Sequence, residues 1–488
     1  MLKRTTSGAY PRDFKTLFGL TTMNWTETVS NAMMTGLFLL YLTDYSGIGP
    51  HAAALGALLL TLGRIFDAVN DPIQGYIMDN AKVGRLGKYK PFIIASIVMV
   101  TVALCFLFSI PAPVAESRVL VVVWVVFFYL MYDIGISFFA ENPLKQSLTT
   151  DPVLRSRFTT WPRVVSMIVV IPMSFFITML TGINSQIGNM HRSFSILAVT
   201  IALIAGAVSL IGISLVKEGK HIVRQSEPRI SMGDIWFMLK TNKPLLISTL
   251  VSVFHGFVWT LVAATTTYYI KWAYCTDLET GVVDNDKFGF MAMILGICQL
   301  VPSIVMAALS PKFVKWFNGP VKVFKLAMLL EMIGGLGLFL CMALGILGSS
   351  PALFFAFIAV LQIGAGLSFV PGTLIGIECM DYGMYKTGKE MHGLTNAVGR
   401  FIGKAQTALS SVIVGGILVS IGYQVDSVTD TYLGELSAIP GMLHSFIVVC
   451  GLVPAALCLI SLLIFRFYPI THQVRAEMNA ALEKMKAD

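Results

Sequence analysis

Long apolar runs dominate this chain of 488 residues and limit the folds that are open to it. Hydrophobic residues make up 56% of the sequence and charged residues 13%, whereas a soluble domain is about one-quarter charged. A helix needs roughly 20 apolar residues to cross a bilayer. The runs therefore predict an all-α integral membrane protein with twelve transmembrane helices, at residues 17–43, 50–78, 92–111, 119–143, 161–181, 194–216, 244–270, 287–309, 322–347, 351–379, 392–422 and 440–468.

Lysine and arginine are distributed unevenly among the predicted loops. Most of the 35 basic residues fall at the N-terminus, in the loops after even-numbered spans and in the C-terminal tail, for example Lys82, Arg155 and Lys312. Cytoplasmic loops carry such an excess of positive charge. Both termini are therefore predicted to be cytoplasmic. The net charge of +8 reflects this bias rather than a nucleic-acid-binding surface, and we expect a multi-pass protein of the plasma membrane, surrounded by lipid.

The longest predicted cytoplasmic connection separates two groups of six spans. It contains a predicted amphipathic segment, Met232 to Leu239, which we expect at the membrane surface. No cleavable signal peptide is evident, and the 7 cysteines are scattered without a CxxC motif, which predicts neither disulfides nor a metal centre. The predicted organisation is an N-terminal bundle, a linker, a C-terminal bundle and a cytoplasmic tail, at 1–216, 217–243, 244–468 and 469–488.

Charged side chains interrupt the second predicted span, which is otherwise apolar from His51 onward. They are Arg64, Asp67 and Asp71, and Asn70 adds an amide beside them. The spacing i, i+3 and i+7 places the three charges on one helical face, which must meet a bundle interior or a wet cavity because lipid does not solvate it. Two carboxylates and an amide offer oxygen ligands to a small monovalent cation. Alternatively, the carboxylate pair captures a proton, or Arg64 and the aspartates form a salt bridge that only joins helices.

The first and fourth predicted spans also carry acidic side chains that are candidates for the site. Tyr129 and Asp133 lie at i and i+4 in the fourth span, and a ring beside a carboxylate suits a sugar, because the ring stacks on the sugar face and the oxygens accept hydroxyl protons. The alternative is that Asp133 pairs with a basic residue elsewhere. Glu27 in the first span shares a face with Asn31 and could bind sugar hydroxyls, whereas Glu141 reads as a helix-end or gating residue.

Buried cations come from the eleventh span, where Arg400 and Lys404 lie one turn apart. Lys404 has no acidic neighbour in sequence, so its counter-charge must come from another span, and the charged helices are predicted to converge. Arg163, at the start of the fifth span, either reaches the same cavity or snorkels to the interface. His255 and Glu331 are lone polar residues on apolar spans, and packing or helix–helix hydrogen bonding is the expected role of both.

With these residues in view, the chain resembles the glycoside–pentoside–hexuronide:cation symporters, the family of the melibiose permease, within the major facilitator superfamily. The resemblance covers nearly the whole chain. One departure follows MYDI, where the family commonly has a proline and a bulky aromatic and this chain has Gly135, Ile136 and Ser137. The matching segments are RIFDAVNDPIQGYIMDN with GKYKPFI after it, MYDI, TTDPVLRSRFTTWPR, DYGMYKTGKEMHG and the ending FYPITHQVRAEMNAALEK.

This resemblance implies a fold of two six-helix bundles and roles for most of the candidate residues. Asp67, Asn70 and Asp71 would form the site of the coupling cation, with Asp133 between cation and sugar. Tyr129 and Arg163 would face the sugar, Lys404 would occupy the family's lysine position in the eleventh span, and the family's sugar ligand in the first span falls near Glu27 or Thr28. Arg400 departs from the neutral polar residue that the family pattern has, and its position beside Lys404 makes it a candidate substrate residue. Arg64 and Glu141 are candidates for charge pairs from their own positions.

The predicted function is secondary active transport, the symport of a sugar, glycoside or hexuronide with Na⁺ or H⁺ by alternating access. We expect no cofactor beyond the coupling ion, and a monomer. One alternative is a related facilitator for an amphiphile such as a lysolipid, or an uncoupled uniporter. A non-transporting sensor or a membrane enzyme is the other, but no nucleophile elbow, phosphate loop or metal-ligand cluster supports an enzyme.

Overall fold

A computed structural model gives the architecture of the chain. For some helical residues within the described ranges, among them Arg64, Asp67, Asp71, Arg400 and Lys404, only the backbone is described, and Arg163 lies outside the described residues. The structure describes residues 10–48, 51–148, 158, 161–162, 165–166, 168–218, 240–387, 392–470, 473–475 and 477–478.

Long apolar helices form most of the described chain, and its only β-structure is a few isolated bridges. The predicted all-helical membrane fold is thereby confirmed, whereas the number of twelve spans and the side of each terminus stay predictions. Eight helices within the described ranges are long and apolar enough to cross a membrane: Lys90–Leu107, Val119–Ser137, Met190–Leu215, Lys243–Tyr274, Asn285–Trp316, Pro320–Ala343, Pro351–Lys386 and Leu436–Phe467.

The remaining predicted spans are also helical where they are described. The first is broken at Asn24, where a new helix begins, and it ends in a π-helical turn at Tyr41–Tyr45. The second is one helix of 29 residues, Ala52–Asn80. The last span divides into Ile439–Ile447, a π-helical Val448–Leu452 and Val453–Ile464. The other helices are Tyr10–Met23, Trp25–Gly36, Phe38–Leu40, Ala112–Ala115, Glu141–Leu148, Ile171–Ser174, Phe176–Ile187 and His392–Ser420.

The first of two compact units contains residues Met1–Gln225 together with Asp277–Gly289 and Leu418–Leu436. Small residues allow two of its helices to approach closely: a Cβ added at Gly19 would lie 2.7 Å from the carbonyl oxygen of Gly212. Such close contacts are how apolar helices associate where lipid removes the hydrophobic driving force. Polar bonds add to the contact, because the backbone N–H of Thr26 donates to Ser209 Oγ at 2.9 Å.

The two later segments of this unit attach to its first part through hydrogen bonds. Tyr423 Oη donates to both carboxylate oxygens of Asp44, at 2.9 and 3.0 Å, and the N–H of Met190 donates to the carbonyl of Val428. A turn shapes the second segment, since two backbone N–H groups, those of Thr429 and Val428, donate to Asp426 and hold its pKa below the usual range. Residues that follow the predicted linker therefore fold with the first part of the chain, and the predicted domain boundaries stay a prediction.

The second unit contains Ser226–Thr276, Phe290–Ile417 and Ser437–Asp488. Its core is apolar and includes Leu245, Val251, Phe324, Met328 and Cys458. A buried polar pair lies in it, where His255 Nε2 and Glu331 Oε2 are 2.6 Å apart. The pair joins the helices Lys243–Tyr274 and Pro320–Ala343, which confirms the helix–helix hydrogen bond expected of these two residues.

Candidate cation and substrate site

The second-span motif lies on one uninterrupted helix, Ala52–Asn80. Its backbone places Arg64, Asp67 and Asp71 at the spacing that puts three positions on one face, while their side chains lie outside the description. Asn70 is described and half-buried. The surroundings of the motif can therefore be read from its described members and from the helix that packs against it.

Gly63, one residue before the motif, marks the contact with the Arg118–Ser137 helix. A Cβ added at Gly63 would lie 2.5 Å from Tyr129 Oη and 2.7 Å from Asp133 Oδ2. Real Cβ atoms do not approach so closely, so the absence of a side chain brings the backbone of the motif helix against these two groups. Tyr129 and Asp133 are each only 1% exposed. Two predicted substrate residues thus lie together, beside the helix that carries the predicted cation ligands.

A second contact joins the same two helices one residue beyond Asp133. Gln74 Nε2 donates to Asn70 Oδ1 at 3.0 Å and to the carbonyl oxygen of Ile134 at 3.2 Å. Gln74 is 2% exposed. Gln74 was not among the residues predicted from the sequence, although its position four residues after Asn70 in an apolar span is a signal for it.

Aromatic side chains enclose the Tyr129 and Asp133 region. The rings of Tyr129 and Phe38 are 5.5 Å apart between centroids, at a tilt of 31°, and Tyr132 Oη contacts Asn31 Oδ1 at 3.4 Å. Asn31 belongs to the Trp25–Gly36 helix and lies one turn after Glu27. Glu27 itself is half-buried, and its carbonyl accepts a hydrogen bond from Ser30 Oγ at 3.0 Å. Aromatic rings and a few polar side chains are therefore packed together around Tyr129.

The departure from the family pattern after MYDI has a packing reason. A Cβ added at Gly135 would lie 3.0 Å from Val100 Cγ2 and 3.1 Å from Met99 Cβ. A side chain at this position would press on the neighbouring Lys90–Leu107 helix, so the glycine permits close packing there.

Glu141 has partners of its own in the first unit. It forms an ion pair with Lys145, one turn further along the Glu141–Leu148 helix. Its Oε1 also accepts a hydrogen bond from Asn24 Nδ2 at 2.5 Å, at the point where the first predicted span is broken. The contact ties the break in that span to the Glu141–Leu148 helix, and the gating role of Glu141 stays a prediction.

Two predicted substrate residues lie on the eleventh predicted span. The backbone of Arg400 and Lys404 lies one turn apart in the His392–Ser420 helix, as their spacing predicts. Their side chains and those of Arg64, Asp67 and Asp71 fall outside the description, as does Arg163. Among the residues whose side chains are described, no group of three His, Cys, Asp or Glu could hold a metal ion.

Comparison with known proteins shows the family to which the chain belongs. Residues 22–472 match the family described as MFS/sugar transport protein. The chain is 26% identical over 466 residues to the glucuronide carrier protein homolog of Escherichia coli (strain K12), covering 93% of this chain and 92% of that protein. It is 23% identical over 461 residues to an uncharacterised symporter, YnaJ, of Bacillus subtilis (strain 168), covering 93% and 91%.

A solved structure shares the fold. It is the inward-facing, unoccupied crystal structure of a bacterial homologue of the human lysosomal transporter Spinster. The TM-score is 0.63 at 12% identity, and the match covers 95% of this chain and 100% of that one. At this identity the likeness establishes the major facilitator fold alone.

Proposed function

Because this chain belongs to the family of MFS sugar transport proteins, we propose that it is a secondary active symporter that couples movement of a sugar or glycoside to Na⁺ or H⁺. The coupling free energy comes from a cation gradient, and alternating access exposes the bound pair to one side of the membrane and then the other. The protein is a membrane transporter rather than an enzyme, and the plasma membrane is its proposed location.

The observation that carries this proposal is the contact at Gly63. It brings the backbone of the helix with the predicted cation ligands against Tyr129 and Asp133, the predicted sugar residues. Coupling requires that one ligand change the affinity for the other, and the effect is reciprocal. A carboxylate such as Asp133, adjacent to both sites, could serve both, because filling one site would fix the geometry and charge of the other.

Each candidate residue has a role in the proposed cycle. Asp67, Asn70 and Asp71 supply oxygen ligands or a proton acceptor for the coupling ion. Asp133 and Tyr129 receive the sugar beside it, the carboxylate accepting hydroxyl protons and the ring covering the sugar face. The others complete the proposal: Glu27, Arg163, Arg400 and Lys404 bind substrate, and Arg64 and Glu141 form charge pairs.

A neutral sugar or glycoside is the first candidate substrate, and an acidic one is the second. Two observations support the acidic class as the second candidate. Arg400 and Lys404 place two cations one turn apart in the His392–Ser420 helix, and the relative from Escherichia coli is named as a glucuronide carrier homologue. Arginine forms strong, often bidentate hydrogen bonds with a carboxylate.

The coupling site is tested by cysteine substitution of each aspartate in purified protein reconstituted into vesicles. We expect Asp67→Cys and Asp71→Cys each to abolish concentrative uptake of radiolabelled sugar while downhill exchange persists. A charge-assisted contact of about 1.5–3 kcal/mol corresponds to a cation affinity weaker by roughly 10- to 150-fold. Uptake is measured with a sodium gradient at constant pH, with a pH gradient without sodium, and with neither.

The matched control is Asp286→Cys, which removes an exposed carboxylate at the start of the Asn285–Trp316 helix. It should leave concentrative uptake unchanged. Undiminished accumulation in both Asp67→Cys and Asp71→Cys would contradict the proposed coupling site. If neither the sodium gradient nor the pH gradient changes uptake by the native protein, transport is not coupled to a cation, and the protein is an uncoupled uniporter.

A further inference from the structure

An amide pair on the Ala52–Asn80 helix, Asn70 and Gln74, has hydrogen-bonding capacity that the described residues around it do not use. Gln74 Nε2 lies 3.0 Å from Asn70 Oδ1 and 3.2 Å from the carbonyl oxygen of Ile134. Two polar atoms of the pair, Gln74 Oε1 and Asn70 Nδ2, are buried and meet no hydrogen-bond partner among the residues that the structure describes.

The chemistry of the contacts fixes the orientation of both amides. A backbone carbonyl oxygen only accepts hydrogen bonds, so the Gln74 atom facing Ile134 must be the NH₂ group. That NH₂ group also faces Asn70, where its partner must again be an acceptor, which makes it the Asn70 carbonyl. Gln74 Oε1 is consequently the acceptor that has no described partner. Rotating either amide by half a turn would place two donors or two acceptors opposite each other.

A buried carbonyl oxygen without a partner among the described residues is available to bind a ligand. Leaving a buried acceptor without a partner costs about 1–3 kcal/mol, and native proteins rarely keep such groups without a reason. Gln74 lies three residues after Asp71 and seven after Asp67, so the spacing places its position on the same face of the helix as theirs. A cation bound by those carboxylates can also be coordinated by the Gln74 amide oxygen, which donates electron density to it.

We propose that Gln74 determines the cation specificity of this transporter, with Oε1 as a neutral ligand for Na⁺ and the NH₂ group holding Asn70 and the Ile134 backbone in place. The inference rests on the proposed coupling at the Ala52–Asn80 helix. Na⁺ must exchange its hydration shell for several protein oxygens, and carbonyl oxygens replace that shell. A proton needs one carboxylate and no neutral oxygen, so Gln74 favours Na⁺ and adds little to H⁺ binding.

The principal test is Gln74→Met, since methionine is similar in length and adapts to irregular gaps. We expect the Na⁺ concentration for half-maximal sugar uptake at constant pH to rise about 3- to 10-fold, the equivalent of one neutral hydrogen bond. Uptake driven by a pH gradient without Na⁺, and the sugar concentration for half-maximal uptake at saturating Na⁺, should change little.

Gln406→Met is the matched control. Gln406 is also a buried glutamine, 6% exposed, and its Nε2 donates to the carbonyls of Ser252 and Val253 on another helix, at 2.7 and 2.8 Å. Replacing Gln406 removes a similar hydrogen-bonded contact between two helices, at positions distant in sequence from the cation motif. It should not change the ratio between Na⁺-driven and H⁺-driven uptake.

A second variant, Gln74→Glu, keeps the size of the side chain and adds a carboxylate. We expect it to move coupling toward H⁺, so that Na⁺ stimulates uptake less at acidic pH than in the native protein. An equal change of Na⁺-driven and H⁺-driven uptake in Gln74→Met would overturn the assignment and leave Gln74 as a structural tie. The same conclusion follows if neither Gln74 variant folds while Gln406→Met does.

The outcomes separate this inference from the proposed function. A native protein that shows no cation-driven uptake contradicts the proposed function itself. If H⁺ alone drives uptake by the native protein, or if Gln74→Met leaves the Na⁺ dependence of uptake unchanged, the proposed coupled transport stands and the proposed role of Gln74 is wrong.

Discussion

Gly63 matters at the scale of single residues because the contact between two predicted sites depends on its missing side chain. In an exposed helix, Gly→Ala stabilises by roughly 0.5–1 kcal/mol. At Gly63 the added Cβ would meet Tyr129 Oη and Asp133 Oδ2 at 2.5 and 2.7 Å, so it must displace one of them. We therefore expect Gly63→Ala to fold but to lose most cation-coupled sugar uptake in reconstituted vesicles.

Gly416→Ala provides the comparison for that experiment. Gly416 also lies within a long helix, His392–Ser420, and nothing lies within 4 Å of an added Cβ. It should therefore transport as the native protein does. If the two alanine variants transport equally well, the close approach at Gly63 has no part in coupling.

Sequence reasoning identified the charged and aromatic candidates of the site and the amide of Asn70, but it missed Gly63 and Gln74. Tyr129 and Asp133 were predicted from their i, i+4 spacing, and the structure places both beside Gly63. Gly63 and Gln74 carry no charge, and their meaning depends on what lies opposite them on another helix. Sequence alone does not give that partner, because the contact between the Ala52–Asn80 and Arg118–Ser137 helices is a product of packing.

At the scale of helices, hydropathy predicted the existence of the spans better than their form. The tenth predicted span stops at residue 379, whereas its helix continues to Thr387. Backbone hydrogen bonding carries a helix past the point where apolar residues end. Conversely, the break at Asn24 and the π-helical turn at Tyr41–Tyr45 both belong to the first predicted span. Hydropathy does not detect them, because they change the geometry of the helix and not the polarity of its residues.

The buried pair of His255 and Glu331 allows a test of how two helices of the second unit are joined. Glu331 is 0% exposed, and its Oε2 also accepts a contact from Cys458 Sγ at 3.4 Å. Removing one partner leaves the other polar group buried and unsatisfied, at a cost of about 1–3 kcal/mol. We expect Glu331→Ala to lower the apparent Tm of the purified protein in detergent.

Replacing both partners should have a smaller effect. An apolar pair of similar volume removes the unsatisfied group, and such exchanges are often neutral or stabilising. His255→Leu combined with Glu331→Leu is therefore expected to have a higher Tm than Glu331→Ala. A double variant that is less stable than Glu331→Ala would mean that the polar pair itself specifies the packing.

At the scale of the whole molecule, the compact units are not continuous in sequence. Asp277–Gly289 and Leu418–Leu436 fold with the first unit, while the two predicted halves on either side of a linker stay a prediction. Tyr423 is an example, since its hydroxyl donates to the carboxylate of Asp44 in the first span. Contacts between residues 379 positions apart depend on how the chain returns on itself, which composition and charge patterns do not determine.

The charge of the substrate is a property of the whole transporter and can be tested through Arg400. A neutral sugar needs no excess of cations, whereas a uronide would gain charge-assisted hydrogen bonds from arginine. If the substrate is acidic, we expect the native protein to prefer glucuronide over the matched neutral glucoside. Arg400→Gln should reduce that preference roughly 10-fold or more, the equivalent of one charge-assisted hydrogen bond of at least about 1.5 kcal/mol.

The measurement is a competition series in vesicles with paired neutral and uronic sugars that share the same aglycone. Arg192→Gln serves as the control, because it removes an exposed positive charge near the start of the Met190–Leu215 helix and so separates a specific contact from a change in net charge. It should leave the preference as in the native protein. If the native protein prefers the neutral sugar, or if Arg400→Gln and Arg192→Gln shift the preference equally, Arg400 does not select substrate charge, and a neutral glycoside is the substrate that the proposed function retains.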